Sequence, residues 1–335
     1  MFPEVPMSTE TAPQDQIPSE FSRLAHFPVT FFAIVMGLMG LTMALHAGAP
    51  SMPVLENASS LVLLIGAAVM IITAMIYVAK TLRHMGMVIE EWHHPVKLAF
   101  FPTISISLLL LATATYPHNA TLAEWIWLAG VAGQGVLTIA VISGWISHRS
   151  FQVGHLTPAW FIPAVGNVIV PVLGARMGYI ETSWLFFSGG MLFWIVLLTL
   201  VMNRLIFHDP IVARLFPTMV ILIAPPAVAF LAYIAMTGEV DGFARILLNA
   251  GYIFAALVVA QVPRLVKLPF ALSWWALSFP IAALAIASFR FAQLDGSRAH
   301  EQIGFLLLLV LCVVVAGLIY RTGKAIVRGE ICVPE

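Results

Sequence analysis

Residues 61–78 read LVLLIGAAVMIITAMIYV, and residues 305–320 read FLLLLVLCVVVAGLIY. Neither stretch contains a charged side chain, and neither offers the polar face that a helix on the surface of a water-soluble bundle requires. Each approaches the roughly 20 apolar residues that carry an α-helix across a hydrocarbon core about 30 Å thick. Composition extends this reading to the whole chain. Of 335 residues, 61% are hydrophobic and 10% charged, against about 45–50% and about 25% in ordinary soluble domains. Sixteen Lys and Arg balance sixteen Asp and Glu, which leaves no basic excess to hold a phosphate backbone and excludes nucleic acid as a partner. The same apolar content is incompatible with a disordered chain. Cys312 and Cys332 are too few to build a disulfide framework.

Counting apolar runs between charged clusters predicts an all-α integral membrane protein of ten transmembrane helices, over residues 27–49, 57–80, 95–115, 121–144, 158–178, 181–206, 215–236, 242–262, 270–292 and 302–320. The lipid bilayer is thus its first partner. Residues 1–22 carry no apolar run of the signal-peptide kind and read as a flexible cytoplasmic tail. Residues 23–328 read as one pore domain and residues 329–335 as a short C-terminal tail. Short cytoplasmic loops retain Lys and Arg. Twelve of the sixteen basic residues, Arg23, Lys80, Arg204 and Arg328 among them, fall on the side of the two termini, and Arg176, Arg245, Arg290 and Arg298 fall on the other. This places both termini in the cytoplasm and the protein in the plasma (inner) membrane.

The odd-numbered spans share a feature that the even ones lack. Each has a proline at or near its start, Pro28, Pro95, Pro163, Pro217 and Pro269, at spacings of 67, 68, 54 and 52 residues, and each interval holds one helical hairpin. A second helix breaker follows in each: Gly37, Pro102, Pro171, the pair Pro225 and Pro226, and Pro280. Proline is tolerated in a first turn, but inside a helix it frees the carbonyl four residues back and kinks the rod. Freed carbonyls near Leu98, Asn167, Ile221 and Ala276 have no partner in lipid, so these helices are expected to be buried. The simplest arrangement is an inner ring of five kinked helices inside five straighter ones.

The segments FPVTFFAIVMGLMGLTMAL from Phe27, EEWHHPVKLAFFPTISISLLLLA from Glu90, HLTPAWFIPAVGNVIVPVLGA from His155, RLFPTMVILIAPPAVAFLAY from Arg214 and SWWALSFPIAALAIAS from Ser273 resemble the odd helices of one family. It is the family of TehA-like tellurite-resistance and dicarboxylate transporters and plant slow-type anion channels. The resemblance spans nearly the whole chain, and its WWALSFP and AVGN stretches are the most specific. It implies ten helices as five hairpins in quasi-fivefold arrangement, a central pore through the inner ring, and a homotrimer with one pore per subunit. It also implies that a phenylalanine beside the break in the ninth helix plugs the pore; by motif position this is Phe279.

The residues themselves bear on how an anion would pass. Proton-coupled carriers usually place an Asp, Glu or His within the membrane, and none lies near the centre of any span. Glu124 and Glu181 sit at helix starts, Arg204 and Arg290 near ends and His46 near a boundary, where a charge is inexpensive. A pore without fixed countercharges binds ions weakly, which suits conduction. Asn167 and Gln134 are the polar side chains at mid-depth, either amide donors to a passing ion or interhelical hydrogen bonds. The cluster His84, Glu90, Glu91, His93 and His94 matches no metal motif and reads as a solvated loop. No cofactor, metal or catalytic residue is expected. The resulting expectation is a channel for small inorganic or organic anions of the chloride or nitrate kind, with a secondary transporter of tellurite, sulfite or four-carbon dicarboxylates as the alternative.

Overall fold

The computed structural model describes residues 22–147 and 151–333. The tail expected over residues 1–22 lies outside them except for Ser22, and Arg149 lies outside as well. Every regular element among the described residues is helical: α1 (Phe32–Gly48), α2 (Val54–Arg83), α3 (Met85–His93), α4 (Thr103–Thr115), α5 (Ala120–Ser147), α6 (Phe161–Gly174), α7 (Ile180–Phe207), α8 (Ala224–Thr237), α9 (Gly242–Leu265), α10 (Ser278–Asp295) and α11 (Arg298–Val327), together with short 3-10 segments. Five of those segments lead into the inner helices: Val29–Phe31 into α1, Lys97–Phe100 into α4, Pro158–Trp160 into α6, Phe216–Ile223 into α8 and Leu272–Leu277 into α10. Counted with these leads, nine of the described helices are long and apolar enough to cross a membrane, and Pro158–Gly174 is shorter. It stops at a turn in which the Tyr179 N–H donates to the Gly174 carbonyl at 2.9 Å, with Gly178 at φ +90°.

Burial divides the long helices into two sets. In the 18-residue apolar stretch of α1, α4, α8 and α10, each taken with its lead, between 67% and 72% of the residues are buried, whereas in that of α2, α5, α7, α9 and α11 it is 28%. Every residue of α6 except Val172 is buried. Each helix of the less buried set hides one narrow seam and exposes large aliphatic side chains elsewhere, such as Leu61 and Leu64 on α2 or Leu306 and Leu309 on α11. On α2 the seam is Ser59, Leu63, Gly66, Met70, Thr73, Tyr77 and Lys80, alternating steps of four and three. The same alternation recurs on α7 and α11. It is the 3.5-residue period that keeps one face of a helix against its partner.

Small residues in the seams let the backbones approach, since aliphatic packing against lipid and against a helix are nearly equivalent and close contact decides association. A Cβ on Gly66 would lie 2.1 Å from Met39 of α1, one on Gly130 2.9 Å from Leu109 of α4, one on Gly190 2.5 Å from Val168 of α6 and one on Gly304 2.7 Å from Phe289 of α10. Sequential pairing follows: α2 packs on α1, α5 on α4, α7 on α6, α9 on α8 and α11 on α10. The more buried helices contact one another in a closed order, α1 on α4, α4 on α6, α6 on α8, α8 on α10 and α10 back on α1. Their 3-10 leads repeat that cycle. All five inner helices therefore start at one end of the molecule, which also holds the first and last described residues: a Cβ on Gly329 would lie 3.0 Å from the Arg23 guanidinium.

The prolines act differently from the interior breaks expected of them. Pro102 is the residue before α4, Pro225 and Pro226 are the second and third residues of α8, and Pro280 is the third of α10. In a first turn the missing N–H has no intrahelical partner to lose. Among the inner helices, only Pro171 stands inside an α-helix, and α9, in the outer set, contains Pro263. The 3-10 leads also settle two of the four carbonyls: Leu98 O accepts from the Phe101 N–H and Ile221 O from the Ala224 N–H. Hydroxyls add further bonds at these junctions, Thr103 to Phe100 O at 2.6 Å, Thr218 to Leu215 O at 2.6 Å and Ser278 to Trp275 O at 2.6 Å. Gly37 lies within unbroken α1, where a Cβ would stand 2.4 Å from Ser278 Oγ; its role is close approach to α10.

Candidate functional site

Two cavities lie along the axis of the inner helices. The smaller, about 40 Å³, is nearer the 3-10 leads and is lined from all five inner helices, by Ala33 and Met36, Thr103 and Ile106, Ile162 and Val165, Ala224, and Ala276 and Phe279 among others. The larger, about 460 Å³, opens toward the far end and is again lined from all five, by Met43, Leu110, Ile169, Val228, Ala283 and residues beyond them. Lining positions follow helical spacing from one cavity to the next: Ile106 to Leu110, Val165 to Ile169 and Ala224 to Val228 are each one step of four. One face of each helix thus serves both cavities. The single residue common to the two linings is Phe279.

Phe279 is 6% exposed and is the second residue of α10, directly after the lead Leu272–Leu277. Gly40 of α1 makes room beside it: a Cβ there would lie 3.5 Å from Phe279 Cδ2 and 2.9 Å from Ala282 Cβ. The WW pair upstream holds the lead in place. Trp274 Nε1 donates to Pro269 O at 3.0 Å, and Trp275 Nε1 donates to Thr322 Oγ1 of α11 at 2.9 Å.

Polarity along the linings is sparse and one-signed. Near Phe279 the smaller cavity offers the hydroxyls of Thr30, Thr103 and Ser273 and no charge. The larger carries Arg176, Arg290 and His46, the last paired with Glu56 at 2.8 Å. Among the described residues, no Asp or Glu lines either cavity. The inner helices direct their N-terminal, positive dipole ends toward the end that holds the leads.

Of the other candidates, Pro280 lines the smaller cavity, whereas Gly37, Pro102, Pro171, Pro225 and Pro226 line neither. Asn167 also lines neither. Its Oδ1 accepts from Thr138 Oγ1 at 3.2 Å, Gln134 Nε2 donates to Thr138 Oγ1 and Pro163 O at 3.0 Å each, and Ser105 Oγ donates to Gln134 Oε1 at 2.7 Å. The network joins α4, α5 and α6 and faces away from the axis, which accounts for the AVGN stretch. Gly166 is there because a Cβ would come within 2.3 Å of the Gln134 amide. Gly166→Ala is expected to push this amide out of its bonds and to lower the unfolding midpoint by the equivalent of about 1–3 kcal/mol, the usual range for overpacking. Thermal unfolding of the purified variant checks it.

Sequence reasoning missed Glu91. Instead of lying in a solvated loop, it belongs to α3 and is 5% exposed. Lys80 Nζ stands 2.7 Å from Glu91 Oε2 and donates to Phe27 O at 2.9 Å; the Val29 N–H donates to Glu91 Oε1 at 2.7 Å and the Tyr77 hydroxyl to Oε2 at 3.2 Å. The pair fastens α2 and α3 to the start of the first inner helix. Among the described residues, no three His, Cys, Asp or Glu side chains gather to hold a metal.

A closed cycle of apolar helices, sheathed by helices with exposed aliphatic faces and enclosing two cavities on one axis, defines a multi-pass membrane protein of the channel and transporter class. The comparisons with known proteins make this specific. The chain belongs to the family described as SLAC1, voltage-dependent anion channel, which matches residues 26–323. It is 28% identical over 260 residues to the tellurite resistance protein TehA homolog of Haemophilus influenzae, covering 77% of this chain and 79% of that one. With the S-type anion channel SLAH3 of Arabidopsis thaliana it shares 27% identity over 260 residues, 77% of this chain and 41% of the plant protein. An uncharacterized transporter of Methanocaldococcus jannaschii, MJ0762, is 24% identical over 308 residues, 85% of this chain and 90% of the relative.

Proposed function

We propose that this protein is a channel for small anions such as chloride and nitrate, with Phe279 as the gate of a narrow, mostly apolar pore. The observation that carries this reading is the sharing of one side chain, Phe279, by two cavities each lined from all five inner helices. A ring of apolar side chains narrow enough to exclude water blocks ions without any charge. The absence of acids from both linings, among the described residues, sets the sign of the passing ion, and the dipole ends of the inner helices add to it at the end holding the leads. Ten helices then cross the membrane in quasi-fivefold order, with Pro158–Gly174 counted because it fills its place in the cycle despite its length. One domain over residues 23–328 forms the pore. The excess of Lys and Arg at the end of the leads puts both termini in the cytoplasm of a plasma (inner) membrane protein. The assembly proposed is a homotrimer with a pore in each subunit, as the resemblance implies.

A second reading, a secondary transporter of tellurite, sulfite or four-carbon dicarboxylates, is favoured by the likeness to the tellurite resistance relative. The two separate by coupling. Purified protein in planar bilayers, with chloride or nitrate and no pH gradient, is expected to give a small current whose reversal potential follows the anion gradient. Silence until a proton gradient and a dicarboxylate or oxyanion are supplied would replace the channel with the transporter.

A further inference from the structure

The larger cavity contains two cations that the gate does not use. Arg176, exposed in the turn after α6, and half-buried Arg290, on α10, both line it. Of the other cations at this end, His46 is paired with Glu56 and Arg245 with Asp295, each at 2.8 Å, and Arg298, which forms no ion pair among the described residues, does not line the cavity. Among the described residues, neither Arg176 nor Arg290 forms an ion pair. Two like charges facing one cavity repel unless an anion stands between them, and a guanidinium is suited to oxygen anions because its N–H fork binds two oxygens at once. A cavity of about 460 Å³ is of the size that encloses small ligands, roughly 300–1,000 Å³.

We propose that the Arg176–Arg290 end of the larger cavity is a binding site for a small dianion with oxygen acceptors, an inorganic oxyanion or a short dicarboxylate. Two charges match two guanidinium groups, and the paired oxygens of an oxyanion or carboxylate fit each N–H fork better than a spherical halide does. The dianion enters from the far end and stops at Phe279, where the lining becomes apolar and narrow. It therefore resides in the mouth of the pathway and impedes smaller ions. This sidedness rests on the channel reading, whereas the binding does not.

The test has a binding arm and a current arm. Unfolding midpoints of the purified full chain are measured against sodium sulfate and against sodium succinate, with sodium chloride at equal ionic strength as reference. Because sulfate stabilises many proteins by exclusion from their surface, the informative quantity is the saturable part of the shift. The wild type is expected to show saturation, with half-saturation raised at least roughly tenfold in both Arg176→Gln and Arg290→Gln and partly restored in Arg290→Lys. A tenfold change is about 1.4 kcal/mol of binding. The probe with the lower half-saturation identifies inorganic oxyanion or dicarboxylate. Identical, non-saturating curves for the wild type and the glutamine variants would overturn the site. In bilayers holding the Phe279→Ala protein, the same dianion is expected to reduce chloride current from the far side only. Saturable binding lost in the arginine variants, with no chloride current to block, would leave the site standing and remove the channel reading instead, whereas current without block from either side would overturn the placement of the dianion in the pathway.

Discussion

Phe279→Ala is expected to conduct roughly tenfold or more above wild type, the factor that follows from lowering a barrier by about 1.4 kcal/mol, with its elution unchanged. The ring is the one group common to a cavity of about 40 Å³ and one of about 460 Å³, so truncating it is expected to join them and let water through. Wetting removes the barrier of an apolar constriction. The backbone around it has little reason to move: Pro280 follows, Ser278 Oγ is bonded to Trp275 O, and Trp275 is tied to α11. A buried phenylalanine with a purely structural role behaves otherwise, since its loss costs about 3–5 kcal/mol in a packed core and expression falls with it. Phe279→Leu is expected between wild type and alanine in current. A well-folded Phe279→Ala protein with wild-type current would remove Phe279 from the gate.

The sequence discloses its long apolar helices readily because a whole helix in lipid leaves a signal some twenty residues wide. Which face of each helix meets protein is hidden by the same chemistry. On α2 the buried Leu63 and Met70 differ little in hydropathy from the exposed Leu61, Leu64 and Ile72. Only the small and polar members of the seam, Ser59, Gly66 and Thr73, mark it, and they do so through spacing alone. The prolines were legible as a recurrent pattern and were misplaced within the helices. Reading each span as α-helix from its leading proline makes Pro102, Pro225 and Pro280 interior; a 3-10 lead moves the α-helical start to them.

At the site, the motif match drew attention to Phe279, and no single-sequence property separates it from the other phenylalanines. What sets it apart is three-dimensional, its place between two linings. Asn167 and Gln134 are alike in the opposite sense: both sit at mid-depth, but Gly166 draws Gln134 onto α6 and their amides turn toward neighbouring helices. Glu91 escaped because a carboxylate among His93, His94 and Glu90 resembles an ordinary wet loop. Its partner Lys80 ends the seam of α2 rather than following it.

That hidden pair yields the largest expected effect on stability. Lys80→Met removes the cation and leaves Glu91, whose side chain is 5% exposed, with only the Val29 N–H and the Tyr77 hydroxyl as donors. Breaking one side of a buried ion pair costs about 3–5 kcal/mol, because the remaining charge stays desolvated. Replacing both members by apolar residues is often neutral elsewhere, but here each member also serves the backbone. With Glu91→Leu the Val29 N–H loses its acceptor, and with Lys80→Met the Phe27 carbonyl loses its donor. An unsatisfied buried group costs about 1–3 kcal/mol. The double variant is therefore expected to recover only part of the loss of the single one, and Glu91→Gln, which keeps an acceptor for Val29 while stranding Lys80, to fall well below wild type. Unfolding midpoints of the three variants in detergent measure this ordering. A Lys80→Met protein that unfolds at the wild-type midpoint would show that the pair fastens nothing. The consequence reaches the pathway, because Val29 opens the 3-10 lead of α1, and the next turn supplies Ala33 and Met36 to the cavity beside the gate. Loosening that start releases one of the five helices that hold Phe279 in line.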